Sequence, residues 1–241
     1  MSKRLVSSAI WNLEGVGKIR IYRNLQAKRL TISIRPSTGI RVTVPGLLPF
    51  RVAQDFVNTK KDWITHKVQE IETKKSTFNN DTTFCTRYHK LRFSPHQSKK
   101  LIVEVSNTEI IVKYPEQLTI SDSLVQNTAR NGIIMAYRKE AKQILPERIA
   151  MLAKQKGFTY NTLSIKNIKS RWGSCSAKNN INLSIYLMKL PDELIDYVIL
   201  HELTHTIHKN HGKDFWNHLD KITSGNSKEL AARIKKYQTG I

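Results

Sequence analysis

The sequence predicts an α+β fold in which an N-terminal antiparallel β-rich region precedes a mainly helical domain with a small antiparallel sheet. Segments of alternating apolar and polar residues dominate the first half of the chain, whereas helical periodicity dominates the second half. A pair of short strand-like segments interrupts the helices. We therefore expect a basic β-rich region with one helix over residues 1–120 and a second domain over residues 121–241.

The first group of strands is predicted at Lys18–Arg23, Arg29–Arg35 and Ile40–Val44. In each segment, apolar residues alternate with basic or hydroxyl residues, which is typical of strands with one buried and one solvent-exposed face. The outward positions are rich in Arg and Lys, so the sheet has a basic face. That face is either a solvated surface whose charges prevent edge pairing or a binding surface for anions, and the sequence leaves both open.

One helix and a second group of strands complete the N-terminal region. The helix is predicted from Pro49 to about Lys75, because apolar residues recur there at helical spacing. The polar, turn-rich stretch Ser76–Thr83 follows it. The further predicted strands are Arg87–Phe93, Leu101–Val105 and Glu109–Tyr114.

A long helix opens the second domain. Ser121 and Asp122 favour a helix start, and helical periodicity continues to about Lys156. Pro146 should kink this helix or split it in two, because proline lacks the amide N–H that the helix needs. Gly157 is the expected end, since glycine readily takes the left-handed C-cap conformation.

A loop over residues 169–180 contains the run Arg171-Trp172-Gly173 and leads towards the next helix. It is well placed to form one wall of a site, where Arg171 would neutralise developing negative charge. The alternative is a structural turn, in which Trp172 packs in the core and Gly173 takes a positive φ. The strands predicted on either side are Leu163–Ile168 and Ile181–Met188.

The helix that begins at Pro191 carries a His-Glu-x-x-His pattern. His201 and His205 are four residues apart, so both face one side of the helix and can reach one ion. Glu202 leaves the helix about 100° away, where its carboxylate can hold and deprotonate water beside the metal. His211 would return to the metal after a helix exit near Lys209–Asn210. Three histidines with an open fourth position are typical of a catalytic zinc site.

The remaining polar residues near this motif have open roles. His208 lies too far along the helix axis to join the ion and is interpreted as a rim or second-shell group. Asp214 either orients a ligand imidazole or is an ordinary acid at a helix start. His218 has no partner at ligand spacing and is predicted to be surface. The candidates to stabilise an oxyanion are, in falling order, Arg171, His208, and Tyr186 or Tyr197.

Composition restricts the class of protein. The formal charge of +21 comes from 40 Lys and Arg against 19 Asp and Glu, spread along the chain. Such a field attracts polyanions, nucleotides or acidic proteins. Cys85 and Cys175 are too few for a disulfide framework, and the N-terminus lacks the apolar segment of a signal peptide. We therefore expect a soluble, cytoplasmic protein with no membrane contact.

With both motifs present, the chain resembles the YgjP-like metallopeptidase family, a relative of the SprT-like zinc proteases. The resemblance covers nearly the whole chain. Its most specific parts are Ser170–Cys175, Tyr197–His211 and the pair Phe215 and Trp216.

The resemblance implies a zincin-like metallopeptidase domain over residues 121–241 that holds one zinc ion per chain. It implies that Glu202 is the general base and that Arg171 lines the cleft, with Trp172 and Tyr197 nearby. The zinc ligands that it implies are His201, His205 and His211.

Three functions are compatible with these residues. The first is a zinc metallopeptidase that cleaves a peptide or protein substrate. The second is a nucleoside triphosphate hydrolase that uses the same metal site on an anionic substrate, although phosphoryl chemistry usually prefers carboxylate-held Mg²⁺. The third is a nucleic-acid-binding module with a structural metal, for which the glutamate of the motif would have no purpose. Nonspecific contact with nucleic acid is compatible with all three, given the charge.

Overall fold

The computed structural model describes residues 5–35, 39–73, 77–80 and 84–241. The chain forms two compact units, Met1–Ser76 and Thr77–Ile241. This division falls earlier than the boundary at residue 120 that the sequence suggested. Half of the polar stretch Ser76–Thr83 lies outside the described residues. The mixed α+β class is confirmed.

The first unit is a four-stranded sheet of order β1-β2-β4-β3 with two helices. Where the sequence suggested one helix, two helices meet at Lys60, whose backbone leaves the helical region at φ −106° and ψ 12°. The elements are β1 (Leu5–Leu13), β2 (Gly17–Asn24), β3 (Thr31–Arg35), β4 (Gly39–Pro45), α1 (Phe50–Thr59) and α2 (Lys61–Thr73).

The alternation in β2 and β4 separates a dry face from a wet one. Ile19, Ile21 and Val42 are fully buried against α1 and α2, whereas Lys18 and Arg20 are exposed on the opposite face. The predicted antiparallel pairing is wrong for β2 and β4, which run parallel. Alternation reports which face is buried and carries no information on strand direction.

The second unit contains two three-stranded sheets and four α-helices among its described residues. The predicted strand Ile181–Met188 ends at Ser184, and a 3₁₀ turn over Ile185–Lys189 follows. The other elements are β5 (Lys90–His96), β6 (Ile102–Val105), β7 (Glu109–Pro115), α3 (Ser123–Lys156), β8 (Thr162–Lys166), β9 (Gly173–Cys175), β10 (Asn180–Ser184), α4 (Asp192–Thr204), α5 (Lys213–Ile222) and α6 (Ser227–Ile234).

One strand arrangement recurs in all three sheets. Each sheet contains three strands that follow one another in the chain, and the third of them lies in the middle. The first strand pairs with it in parallel, and the second strand pairs with it antiparallel on the other side. The groups are β2-β4-β3, β5-β7-β6 and β8-β10-β9. The sequence suggested that the small sheet beside the site is antiparallel, whereas the structure shows a mixed sheet.

The long helix α3 organises the second unit. It stays one helix through Pro146 and ends at Gly157, whose φ of 73° is the predicted left-handed cap. Gly132 lets the helix approach the sheet closely, because a Cβ there would lie 2.6 Å from Val103 Cγ2 and 2.7 Å from Ile110 Cγ2. The sheet of β5, β6 and β7 therefore packs against α3 within the second unit.

A buried carboxylate also holds the segment before β5 to α3. Oε1 of Glu140 lies 2.7 Å from Nδ1 of His89 and accepts hydrogen bonds from the Tyr88 amide at 2.9 Å and the Thr86 hydroxyl at 2.5 Å. The side chains of His89 and Glu140 are 2% and 1% exposed. Polar side chains buried this deeply are stable only when they have such partners. In the described part of the chain, no helix has the length and apolar character needed to cross a membrane.

Candidate active site

The site is built on α4 and the turn that follows it. Asp192 and Glu193 lie in the first turn of α4, where carboxylates stabilise the positive end of the helix dipole. The helix ends at Thr204, earlier than the exit expected near Lys209–Asn210. The chain tightens there, since the amides of Thr206 and His208 donate to the carbonyls of Leu203 and Thr204, both at 2.9 Å. This turn gives His211 a short path back to α4.

The structure brings the three histidines of the sequence prediction together. Nε2 of His211 lies 3.1 Å from Nε2 of His205 and 3.1 Å from Nε2 of His201. Phe215, which is fully buried in α5, lies beneath all three rings at centroid distances of 4.9, 4.6 and 4.7 Å. The helix α5 therefore fixes the arrangement from the side opposite solvent.

The donor set fits a metal ion of the zinc type. Nδ1 of His205 donates to the carbonyl of His208 at 2.9 Å, which leaves the lone pair of His205 on Nε2, facing the other two rings. Ligands held about 2.05 Å from one ion at tetrahedral angles would be roughly 3.3 Å apart, close to the separations found here. Burial, together with His205 and His211, lowers the pKa of His201 to about 4, so this imidazole is neutral at pH 7.

Glu202 lies beside the histidine cluster in an apolar setting. It is 6% exposed, and its Oε2 atom has no hydrogen-bond partner among the described residues. Burial raises the pKa of Glu202 to about 7, and the positive charge of Arg171 opposes that rise. A carboxylate with this pKa can exchange a proton with water near neutral pH.

Gly173 makes room for Glu202. A Cβ at residue 173 would lie 2.7 Å from both Cγ and Oε1 of Glu202. The φ angle of Gly173 is not positive, so the turn geometry that the sequence suggested is wrong. The glycine is needed so that the backbone at residue 173 can approach Glu202 closely. Its position in the run Arg171-Trp172-Gly173 does not show this role.

The same loop supplies both a polar and an apolar contact. Arg171 is exposed, and its charge reaches Glu202. Trp172 is half-buried and packs on the core of the second unit, as in the structural alternative. Sequence reasoning left Cys175 out of the site, but the charge of Glu202 also acts on it. Burial raises the pKa of the Cys175 thiol, Lys209 lowers it, and Glu202 raises it further.

The two tyrosines and Asp214 differ in their distance from the histidine cluster and in their exposure. Tyr197 is buried with its ring 6.2 Å from that of His201, whereas Tyr186 is fully buried against Tyr137 and has no exposed surface. Asp214 lies in the first turn of α5, and no hydrogen bond joins it to an imidazole in the described part of the chain.

His208 and His218 form a separate pair. Nε2 of His208 lies 3.2 Å from Nδ1 of His218, so only the backbone carbonyl of His208 contacts the cluster. His218 also stacks on Phe158 at 5.4 Å and is partly buried, so it has contacts that the predicted surface position did not include.

Comparison with known families gives one match over most of the chain. The model of the family described as YgjP-like, metallopeptidase domain, matches residues 28–237. A metallopeptidase domain implies a hydrolase that uses a metal ion. No curated protein matches the chain.

Several solved structures are similar to part of the chain. The metallopeptidase zymogen jannalysin of Methanocaldococcus jannaschii is 28% identical over 38% of this chain and 93% of its own, with a TM-score of 0.34. The zymogen abylysin of Pyrococcus abyssi is 23% identical over 41% and 99%, with a TM-score of 0.36. Wss1 from Saccharomyces cerevisiae is 25% identical over 40% and 83%, with a TM-score of 0.32.

Proposed function

The chain belongs to the YgjP-like metallopeptidase family, and from that premise we propose a zinc-dependent peptidase that cleaves peptide bonds in a peptide or protein substrate. One zinc ion per chain is held by His201, His205 and His211. The observation that carries the proposal is the 3.1 Å separation of the imidazole nitrogens beside a buried carboxylate. Neutral imidazoles suit zinc better than they suit Mg²⁺ or Ca²⁺, which prefer oxygen ligands.

Glu202 is the general base. When bound, zinc lowers the pKa of a water molecule towards about 7 and polarises a carbonyl group. Glu202 takes the proton of the attacking water at a carboxylate oxygen and then delivers it to the leaving amine. Burial raises the pKa of this carboxyl group, which makes its carboxylate a better proton acceptor. Gly173 keeps the carboxylate close to the loop and away from bulk solvent.

Arg171 stabilises the negative charge that develops on the substrate carbonyl oxygen. Its charge already acts on Glu202, and its side chain is exposed, so it can reach a substrate in the cleft. The other oxyanion candidates fit less well, because Tyr186 is fully buried and the ring of His208 is paired with His218.

Metal content by elemental analysis tests the site. Protein purified without added metal should contain about one zinc per chain in the wild type and in Glu202→Gln, and almost none in His205→Ala. A site of another kind would retain zinc in His205→Ala or contain none at the outset.

Turnover of an unfolded protein such as casein tests the reaction. Glu202→Gln should reduce it by about 10²–10⁴-fold while the metal stays bound, as expected for loss of a general base. A nucleoside triphosphate serves as the competing substrate. If the wild type hydrolysed the nucleoside triphosphate faster than casein and Glu202→Gln lost that activity, the peptidase proposal would be wrong. The proposed metal site would still be correct.

A further inference from the structure

The charge of the first unit is one-sided in a way that the metal site does not explain. From Gly15 to Gln54 the chain has eight Lys and Arg and no Asp or Glu. Arg23 has a structural use, since it donates to the carbonyls of Gly46 and Leu48 at 2.7 and 2.8 Å and lies over the ring of Phe50. Most of the other cations in this stretch lie on one side of the sheet.

Four of these cations, Lys28, Arg29, Arg35 and Arg41, line a cleft of about 680 Å³ on the wet face of the sheet. One wall is the β2–β3 connection, and the floor is formed by the outward residues of β3 and β4. We call this the basic cleft. Its lining residues are Asn24, Gln26, Ala27, Lys28, Arg29, Thr31, Ser33, Arg35, Arg41 and Thr43. No acidic side chain is among them, and every one except Ala27 can donate a hydrogen bond.

The cations of the basic cleft have no counter-ion among the described residues. No ion pair in the described part of the chain includes Lys28, Arg29, Arg35 or Arg41. Arg41 lies at the centre of the floor, opposite Arg20 on β2 and Ser33 on β3. Its guanidinium stacks 4.1 Å over the ring of Tyr22, and its buried Nε has no hydrogen-bond partner among the described residues.

The chemistry of the basic cleft matches a nucleic acid strand. Lys and Arg bind phosphate oxygens, while hydroxyl and amide side chains bind sugars and base edges. A guanidinium plane such as that of Arg41 offers a surface on which a base can stack. We infer that the basic cleft binds single-stranded nucleic acid, with phosphates at Lys28, Arg29 and Arg35 and a base at Arg41.

The shape of the basic cleft favours a single strand over a duplex. Clefts of about 300–1,000 Å³ enclose ligands of small-molecule size, so this cleft can take a nucleotide unit but not a rigid double helix. The basic cleft also has neutral polar groups, which suit base and sugar recognition better than they suit an acidic peptide. They are the amides of Asn24 and Gln26 and the hydroxyls of Thr31, Ser33 and Thr43. The inference is independent of the metal site, because all these residues belong to the first unit.

Fluorescence anisotropy on the full-length protein tests the inference. The probes are labelled oligo-dT and oligo-U of about 20 nucleotides, longer than the roughly 4–16 nucleotides of known single-strand sites. The cleft variant is Lys28→Gln with Arg29→Gln and Arg35→Gln. The matched control, Arg51→Gln with Lys60→Gln and Lys61→Gln, removes the same charge from the exposed helix surface of the same unit.

The cleft variant should bind at least tenfold more weakly at about 100 mM salt. Its plot of log affinity against log salt should be shallower by about 2, since each lost phosphate contact removes about 0.7 from the slope. The control variant should bind within about threefold of the wild type, and Glu202→Gln should bind normally. Lys28→Gln with Arg29→Gln, which changes only exposed loop residues, should show an intermediate loss and replaces the triple variant should that variant misfold.

Three results would overturn the inference. The first is an equal loss in the cleft and control variants, which would mean that net charge alone attracts the strand. The second is tighter binding of a duplex of the same length than of the single strand. The third is binding of poly-glutamate in the basic cleft at least as tightly as oligo-dT, which would identify an acidic protein as the partner.

Discussion

Two polar regions of this protein differ in how their polar groups are held. On the sheet of the first unit, the exposed residues Lys18 and Arg20 alternate along the strand with the buried residues Ile19 and Ile21. In the second unit, Glu202 lies on a mostly buried helix. One of its oxygens has no hydrogen-bond partner among the described residues. The first arrangement costs little free energy, whereas the second carries a burial cost that the packing of the rest of the unit must offset.

The contrast teaches which changes each region should tolerate. An exposed cation is solvated in any rotamer, so its neighbours do not depend on it. Each polar group of the site depends on a particular contact, such as Phe215 beneath the imidazoles or Gly173 against Glu202. Substitutions of the site's polar groups or of their contacts should therefore have large effects on stability or peptidase activity, and substitutions of the exposed cations on the sheet should have small ones.

The largest effect is expected for His211→Ala. Its Nε2 is 3.1 Å from the other two imidazole nitrogens, so its loss should abolish zinc binding and reduce peptidase activity by about 10⁴-fold or more, equivalent to over 5 kcal/mol. His208→Ala is the matched control, because the backbone carbonyl that contacts His205 remains. Metal content and casein turnover measure both variants. Zinc loss in His208→Ala would mean that its ring, not its carbonyl, supports the cluster.

The next largest effect is expected for Glu140→Ala, which tests a buried polar contact outside the site. It removes the partner of buried His89 and the acceptor of the Tyr88 amide, and it leaves the Thr86 hydroxyl the longer bond to the His89 carbonyl at 3.3 Å. The free energy of unfolding should fall by about 3–5 kcal/mol, as measured by urea denaturation. Glu147→Ala removes an exposed carboxylate from the same helix and should change it by less than about 0.5 kcal/mol. Equal effects of the two would contradict a structural role for the buried contact.

A smaller effect is expected for Gly173→Ala. The added Cβ would meet Glu202 at 2.7 Å, so the carboxylate must move. We expect a loss of about 1–3 kcal/mol in stability from overpacking and a drop of tenfold or more in kcat, while zinc content stays at the wild-type level. Lys178→Ala, an exposed change in the same loop, should leave kcat unchanged. A normal kcat in Gly173→Ala would show that the position of Glu202 is not critical.

The smallest effect is expected on the wet face of the sheet. Lys18→Gln with Arg20→Gln should change the free energy of unfolding by no more than about 0.5 kcal/mol and leave peptidase activity unchanged. Urea denaturation and casein turnover measure this variant. A decrease of more than about 1 kcal/mol in the free energy of unfolding would show that these exposed cations contribute to stability as the buried polar groups do.

Much of the architecture follows from local pattern. The end of α3 at Gly157 was predictable because glycine favours the left-handed cap, and the faces of β2 and β4 followed from strict alternation. The parallel pairing of β2 with β4 was not predictable, since alternation is the same for both strand directions. The break at Lys60 was missed because helical periodicity continues across it.

The site divides in the same way. The His-Glu-x-x-His spacing and a later histidine are sequence properties, and they are sufficient to nominate the ligands and the base. The early end of α4 at Thr204 was not visible, because Thr206 and Ile207 do not break a helical pattern. The pairing of His208 with His218 depends on where α5 packs, which no local signal reports.

The sequence by itself determined the residue types of the site, the basic character of the first sheet and the faces that are buried. These depend on spacing and charge, which are properties of the chain alone. Only the tertiary structure decided that Phe215 supports three imidazoles, that Gly173 makes room for Glu202 and that the cations near Arg41 line one cleft. The reason is physical: each of these contacts joins different helices, strands or turns, and packing alone sets which of their atoms meet.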